Sequence, residues 1–222
     1  MLYSLIFGNF QAFANDPWFY SLQIVAILAA VVISLSVHEL SHGLMAHWFG
    51  DDTAKNAGRL SLNPLVHLDP LGTFMLLIAP FGWAKPVPVN YFNLRRPRLG
   101  VAMVSFAGPL SNLLLAVVFG FLARFLYPMF GPANLLIIFF EVLMVINFSL
   151  LIFNLIPIPP LDGSKILFSA LPHKFDNFKD KFSVYGPIIL LILVFADSFM
   201  GVNIFGRIFS FFYDVLFRIF GF

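Results

Sequence analysis

There is no cysteine in these 222 residues. Disulfides, cysteine-ligated zinc fingers and thiol nucleophiles are excluded together, and the redox compartment is left open. Charge is scarce too. Asp, Glu, Lys and Arg make up 11% of the chain, where a soluble domain carries about 25%, so a soluble domain is excluded. The net charge of +2 is too small to point to nucleic acid, and the basic residues inform by position instead. No Lys or Arg precedes Lys55, so the basic start of a secretory signal peptide is missing. Neither an internal repeat nor a low-complexity linker interrupts the chain.

What the chain has is apolar: 60% hydrophobic residues, with 30 Phe. This predicts an all-α polytopic membrane protein, one membrane-embedded domain over residues 1–222. Spans are expected at about Phe19–Phe49, Gly100–Tyr127, Asn134–Leu155 and Val184–Met200. Residues 1–14 read as an interfacial or partly inserted segment ending at the Asn15-Asp16-Pro17 turn. In the last segment, Val202–Phe222, Arg207, Asp214 and Arg218 share one helical face opposite Phe and Ile, which suits an interfacial amphipathic helix or a last span. Residues 50–99 hold six prolines and a run, Leu71–Trp83, too short to cross a bilayer. With the extended-looking Gly82–Asn90 they predict a small re-entrant loop or β-hairpin lining a cavity, since irregular backbone at membrane depth must be covered by protein or water.

The chemistry lies in Val37-His38-Glu39-Leu40-Ser41-His42, inside the first span. On a helix His38 and His42 are four residues apart, so their imidazoles project the same way and can share one Zn²⁺. Glu39, about 100° round the helix from His38, can reach a water at that metal as general base. Zinc lowers the pKa of such a water from 15.7 to about 7. Two His and a Glu are costly in hydrocarbon and mark function there. His47 lies about 140° from His42, off the metal face, and reads as an interfacial histidine. His67, in Asn63–Pro70, reads as a loop residue.

Charge placement tests this site. Residues 50–99 and 164–183 carry ten of the thirteen Lys and Arg, which puts both on the cytoplasmic side. His38 and His42 then lie near the inner end of the first span, and Asp162 just past the inner end of the third. Two His and one carboxylate with an open fourth position is the pattern of a catalytic zinc. Asn112 and Asn154, both in apolar spans, are either interhelical hydrogen-bond partners or donors to a substrate backbone or scissile carbonyl.

His38-Glu39-x-x-His42, Gly108-x-x-x-Asn112 and Asn154-x-x-Pro157-x-x-x-x-Asp162-Gly163 together resemble the site-2 protease family of intramembrane zinc metalloproteases. The resemblance covers roughly residues 20–170, a three-helix catalytic core, and leaves helices over 184–222 flanking it. It is to the compact type without a PDZ domain. It implies one Zn²⁺ per chain held by His38, His42 and Asp162, with Glu39 as catalytic acid and base. Peptide bonds in or near transmembrane segments of other membrane proteins would be cut, in the cell membrane, with the active site toward the cytoplasm. Two other classes fit polar residues at membrane depth: a metal-ion transporter, and an inactive relative that binds transmembrane helices. A transporter would spread ligands along a path and has no need of the Glu39 base.

Overall fold

The computed structural model describes residues 16–72, 74, 84–132 and 134–221. The interfacial segment expected over residues 1–14 and most of the run from Leu71 to Trp83 lie outside the described residues.

Helix α1, Pro17–Trp48, starts where Asp16 accepts the Phe19 N–H at 3.0 Å and Pro17 fills a first position whose N–H would go unused. It is followed by Gly50, whose φ of 103° suits the sharp exit. A single turn, α2, covers Thr53–Asn56. Helix α3, Pro97–Phe130, again opens on proline and stops at Gly131. Helix α4, Leu135–Asn154, is capped by Asn134, which accepts the Leu136 N–H at 2.9 Å. Helices α5 (Asp162–Ala170), α6 (Asp176–Phe199) and α7 (Ile204–Phe220) complete the chain.

Among the described residues, α1, α3 and α4 are the helices long and apolar enough to cross a membrane. They match the first three expected spans to within three residues at each end. Helix α6 begins eight residues before the expected fourth span, because the polar turn Asp176–Phe182 continues into it. Its apolar length stays uncovered, with Val184, Ile188, Leu191 and Ile192 all more than half exposed.

Helix α3 packs against α1, α4 and α5, and α1 also meets α4. Small residues let the backbones close up: Ala30 and Ser34 on α1, Ala107, Gly108 and Ala116 on α3 are all buried. Ile27 and Ala30 interlock with Leu143 and Ile146 of α4. The last helix docks on the bundle. Leu216 and Phe220 pack against Met144 and Val145, and the Phe220 ring lies on Gly120, where an added Cβ would come within 2.6 Å of it. Part of the apolar face expected at a lipid interface is therefore spent on α3 and α4.

The β-hairpin does not form among the described residues. One antiparallel bridge, Leu68 to Ala84, is supported by the Lys85 N–H donating to the His67 carbonyl at 2.8 Å. Beyond it the chain runs extended to Asn90 without a partner strand, since Pro86 and Pro88 have no N–H for a ladder.

Candidate metal centre and catalytic cavity

His38 and His42 lie on the buried side of α1, one turn apart. Their Nε2 atoms are 3.0 Å from each other, and 3.2 and 3.0 Å from Oδ2 of Asp162. These three residues form the cluster that could hold a metal ion among the described residues. Gly108 makes the space: a Cβ there would stand 2.5 Å from His42 Nε2 and 2.6 Å from His38 Nε2.

The protons on the imidazoles are fixed by a relay through three helices. The Leu143 carbonyl can only accept, and it takes the Asn147 Nδ2 at 2.8 Å. That turns Asn147 Oδ1 toward Asn112, whose Nδ2 donates to it at 2.8 Å. Asn112 Oδ1 is then left facing His38 Nδ1 at 2.5 Å. Ser34 on α1 accepts the same Asn147 Nδ2 and donates to the Ala30 carbonyl. His42 Nδ1 meets the Val104 carbonyl at 2.7 Å. Each histidine thus carries its proton on Nδ1 and presents an Nε2 lone pair inward.

The donor set is a test for a metal. Two lone pairs and a carboxylate oxygen 3.0–3.2 Å apart repel one another unless positive charge lies among them. Ligands about 2.0–2.1 Å from a tetrahedral zinc stand roughly 3.4 Å apart, close to this triangle. The residues fit Zn²⁺, and the relay supplies the outer hydrogen bonds that metal-bound histidines need.

Asp162 arrives from the far end of the core, at the start of α5, where a helix N-terminus favours negative charge. Gly163 permits this approach, because a Cβ there would overlap the Leu155 carbonyl. The second oxygen, Oδ1, accepts from Lys165 Nζ at 3.2 Å, which leaves Oδ2 for the metal. The Lys165 ammonium beside Asp162 offsets part of the cost of burying its carboxylate. For Lys165, burial opposes the charge while Asp162, Tyr91 and Glu39 more than restore it.

Glu39 reaches the same cavity of about 150 Å³, whose wall also includes Pro86, Val87, Ser105, Asn154 and Lys165. Its Oε2 accepts the Val87 N–H at 2.8 Å. The extended segment carrying Val87 is pinned along its length. Arg59 donates to the Lys85 carbonyl at 2.6 Å, and the Asn90 N–H donates to buried Asp51 at 2.8 Å.

His38, Glu39, His42 and Asp162 thus come together as the sequence pattern anticipates. Of the two readings of Asn112 the geometry favours the interhelical one: it is fully buried, its Oδ1 faces His38 and its Nδ2 donates to Asn147. Asn154 stays at the cavity wall, with Nδ2 donating to its own helix at Leu150. His47 pairs with Asp52 at the surface, and His67 ties to the Ser61 carbonyl within the loop. Asn147, Ser34 and Lys165 were not singled out by sequence. For Lys165 a signal existed, its i+3 spacing from Asp162 on one helix.

Curated relatives bear on this geometry. The chain is 42% identical over 182 residues to the "Putative zinc metalloprotease YwhC" of Bacillus subtilis, covering 79% of this chain and 83% of the relative. The chain belongs to peptidase family M50. The family model, described as Peptidase family M50, matches residues 131–194, which include α4 and Asp162. The "Putative zinc metalloprotease Rip2" of Mycolicibacterium smegmatis is 30% identical over 181 residues, covering 78% of this chain and 68% of that one. A "Putative zinc metalloprotease MJ0611" of Methanocaldococcus jannaschii is 31% identical over 151 residues, 68% of this chain and 73% of the relative. No solved structure matches. As an M50 peptidase with three helices fit to cross a bilayer, the protein is an intramembrane zinc metalloprotease.

Proposed function

We propose that His38, His42 and Asp162 hold the zinc, that Glu39 moves the protons, and that the substrates are transmembrane segments of other membrane proteins. The observation that carries this reading is the triangle of inward Nε2, Nε2 and Oδ2 atoms beside the Glu39 carboxylate. Zinc bound there supplies Lewis acidity toward water and the scissile carbonyl. Glu39 accepts a proton as water attacks the carbonyl carbon, then delivers it to the amide nitrogen as the C–N bond breaks. The products are a carboxylic acid and an amine, the acid's remaining proton passing to the amine to give a carboxylate and an ammonium. Asp162, fixed by Lys165 through its other oxygen, stays anionic and balances the metal's charge.

A transmembrane helix hides its peptide groups in its own hydrogen bonds, so a substrate must unwind before it can be cut. The extended Lys85–Asn90 segment is a wall along which an unwound strand could lie and pair. Val87 N–H is already committed to Glu39, so such pairing falls to Val89 and the carbonyls around it. The exposed Arg95, Arg96 and Arg98 at the start of α3 support a cytoplasmic position for this end of the bundle.

The test is zinc analysis of the purified protein together with cleavage of a single-span test substrate in detergent. Zinc near one per chain with cleavage inside the span supports the reading. Bound metal with no cleavage of several substrates moves it to an inactive relative.

A further inference from the structure

Ser105 departs from the other serines in these helices. Ser34, Ser36, Ser41 and Ser149 each donate to the carbonyl four residues back, and Ser111 to the one three back. That bond is the usual resting place of a helix serine hydroxyl. The Ser105 Oγ is buried and has no partner at all. Its surroundings are those of the reaction, because Ser105 lines the cavity with Glu39, His42 and Asp162. It follows Val104, whose carbonyl orients His42, and precedes by one turn Gly108, which makes room for both histidines. Pro109 adds to the local opening: having no N–H, it cannot bond the Ser105 carbonyl four residues back.

Two other side-chain donors at the wall already have partners. Lys165 Nζ is turned to Asp162, and Asn154 Nδ2 gives a hydrogen to Leu150. A buried hydroxyl without a partner weakens the fold, and in a native protein it calls for an explanation. On the reading of the cavity as a protease site, we propose that Ser105 is a catalytic residue whose hydroxyl donates to the substrate carbonyl oxygen as that oxygen becomes negative. Rotation about the Cα–Cβ bond moves the hydroxyl between staggered positions, so it can meet the oxygen without moving the helix. A donor aimed at developing charge works mainly in the transition state, and loss of one such donor lowers kcat by about 10²- to 10³-fold.

The experiment compares the parent with Ser105→Ala and Ser105→Thr in one detergent, recording zinc content, melting temperature, kcat and KM on the same single-span substrate. For Ser105→Ala the expectation is unchanged zinc, an unchanged or higher melting temperature, KM within about twofold, and kcat lower by about 10²-fold. Ser105→Thr keeps the hydroxyl and should recover most of the loss. Parent-like kcat in Ser105→Ala overturns the assignment. So does a loss of activity that comes with lost zinc or a lower melting temperature, since that is the signature of packing. A parent that is loaded with zinc yet cuts nothing overturns the protease reading itself, and the role of Ser105 with it.

Discussion

The Glu39 carboxylate takes its hydrogen bond from the single N–H in a three-residue stretch: Val87 donates at 2.8 Å, and its neighbours Pro86 and Pro88 have no N–H to give. The contact fixes Oε2 against the wall of the cavity and leaves Oε1 for the proton in the proposed reaction. It also joins Glu39 to a segment held in turn by Arg59 and Asp51.

Glu39→Gln should retain zinc, because none of the three ligand side chains is changed. The Gln oxygen will face the Val87 N–H, turning the amide NH₂ toward the cavity, where it cannot accept a proton. Cleavage should fall by about 10²- to 10⁴-fold. Zinc content and cleavage measured on one preparation check this, and near-parent cleavage would remove Glu39 from the reaction.

Replacing His38, His42 or Asp162 by Ala should each deplete zinc and abolish cleavage, since a three-ligand site has no spare donor. Elemental analysis decides it. Full zinc in Asp162→Ala would show that the third ligand lies elsewhere.

Asn147→Leu is the test of the relay, because Asn147 touches neither histidine. Without it the Asn112 amide is free to turn over and present NH₂ to His38 Nδ1. Zinc affinity, measured by competition with a chelator, should drop about 10- to 100-fold. An unchanged affinity would reduce the relay to helix packing.

Gly108→Ala should empty the centre while leaving the helices folded. The new methyl would lie 2.5–2.6 Å from the two Nε2 atoms, in the space the metal needs. Circular dichroism like the parent's, with zinc lost, is the expected pair of results. Retained zinc would mean that α3 can draw back from α1.

Asp51 gives a pH dependence with a definite sign. Burial raises its pKa, but hydrogen bonds from the Thr53 hydroxyl, the Asn93 amide and the backbone of Asn90 and Thr53 prevail, leaving it below its ordinary 3.8. A depressed carboxyl stabilises the fold above 3.8, and that stabilisation is lost as the pH falls below this value. The melting-temperature gap between parent and Asp51→Asn should therefore be constant above about pH 5 and narrow in more acid solution. A gap that does not change with pH would show that the charge of Asp51 contributes nothing.

The three spans were legible because each is a local property, an apolar run bounded by Asp16-Pro17, Pro97 or Asn134 and by Gly50 or Gly131. The His38, His42 and Asp162 cluster was legible because helical period places His38 beside His42, and charge placement brings Asp162 to their depth. The relay was not. Asn147 and Ser34 are 113 residues apart, and nothing in either neighbourhood names the other. Asn112 was visible as a polar residue in an apolar span, but which way its amide faces depends on the Leu143 carbonyl, a backbone atom that every residue has. Among the described residues the expected loop or hairpin is reduced to one bridge, Leu68 to Ala84. The prolines that marked the segment as extended also deprive its described part of the N–H groups that a second strand would need.

The centre is assembled from parts far apart in the order of synthesis. His42 and Asp162 are separated by 120 residues, and the amides that orient His38 come from the two helices between them. A ribosome making this chain delivers His38, Glu39 and His42 long before Asp162 exists. In the proposed centre the growing chain therefore carries an incomplete set of zinc ligands, and cannot cut, until α4 and the turn after it have been translated.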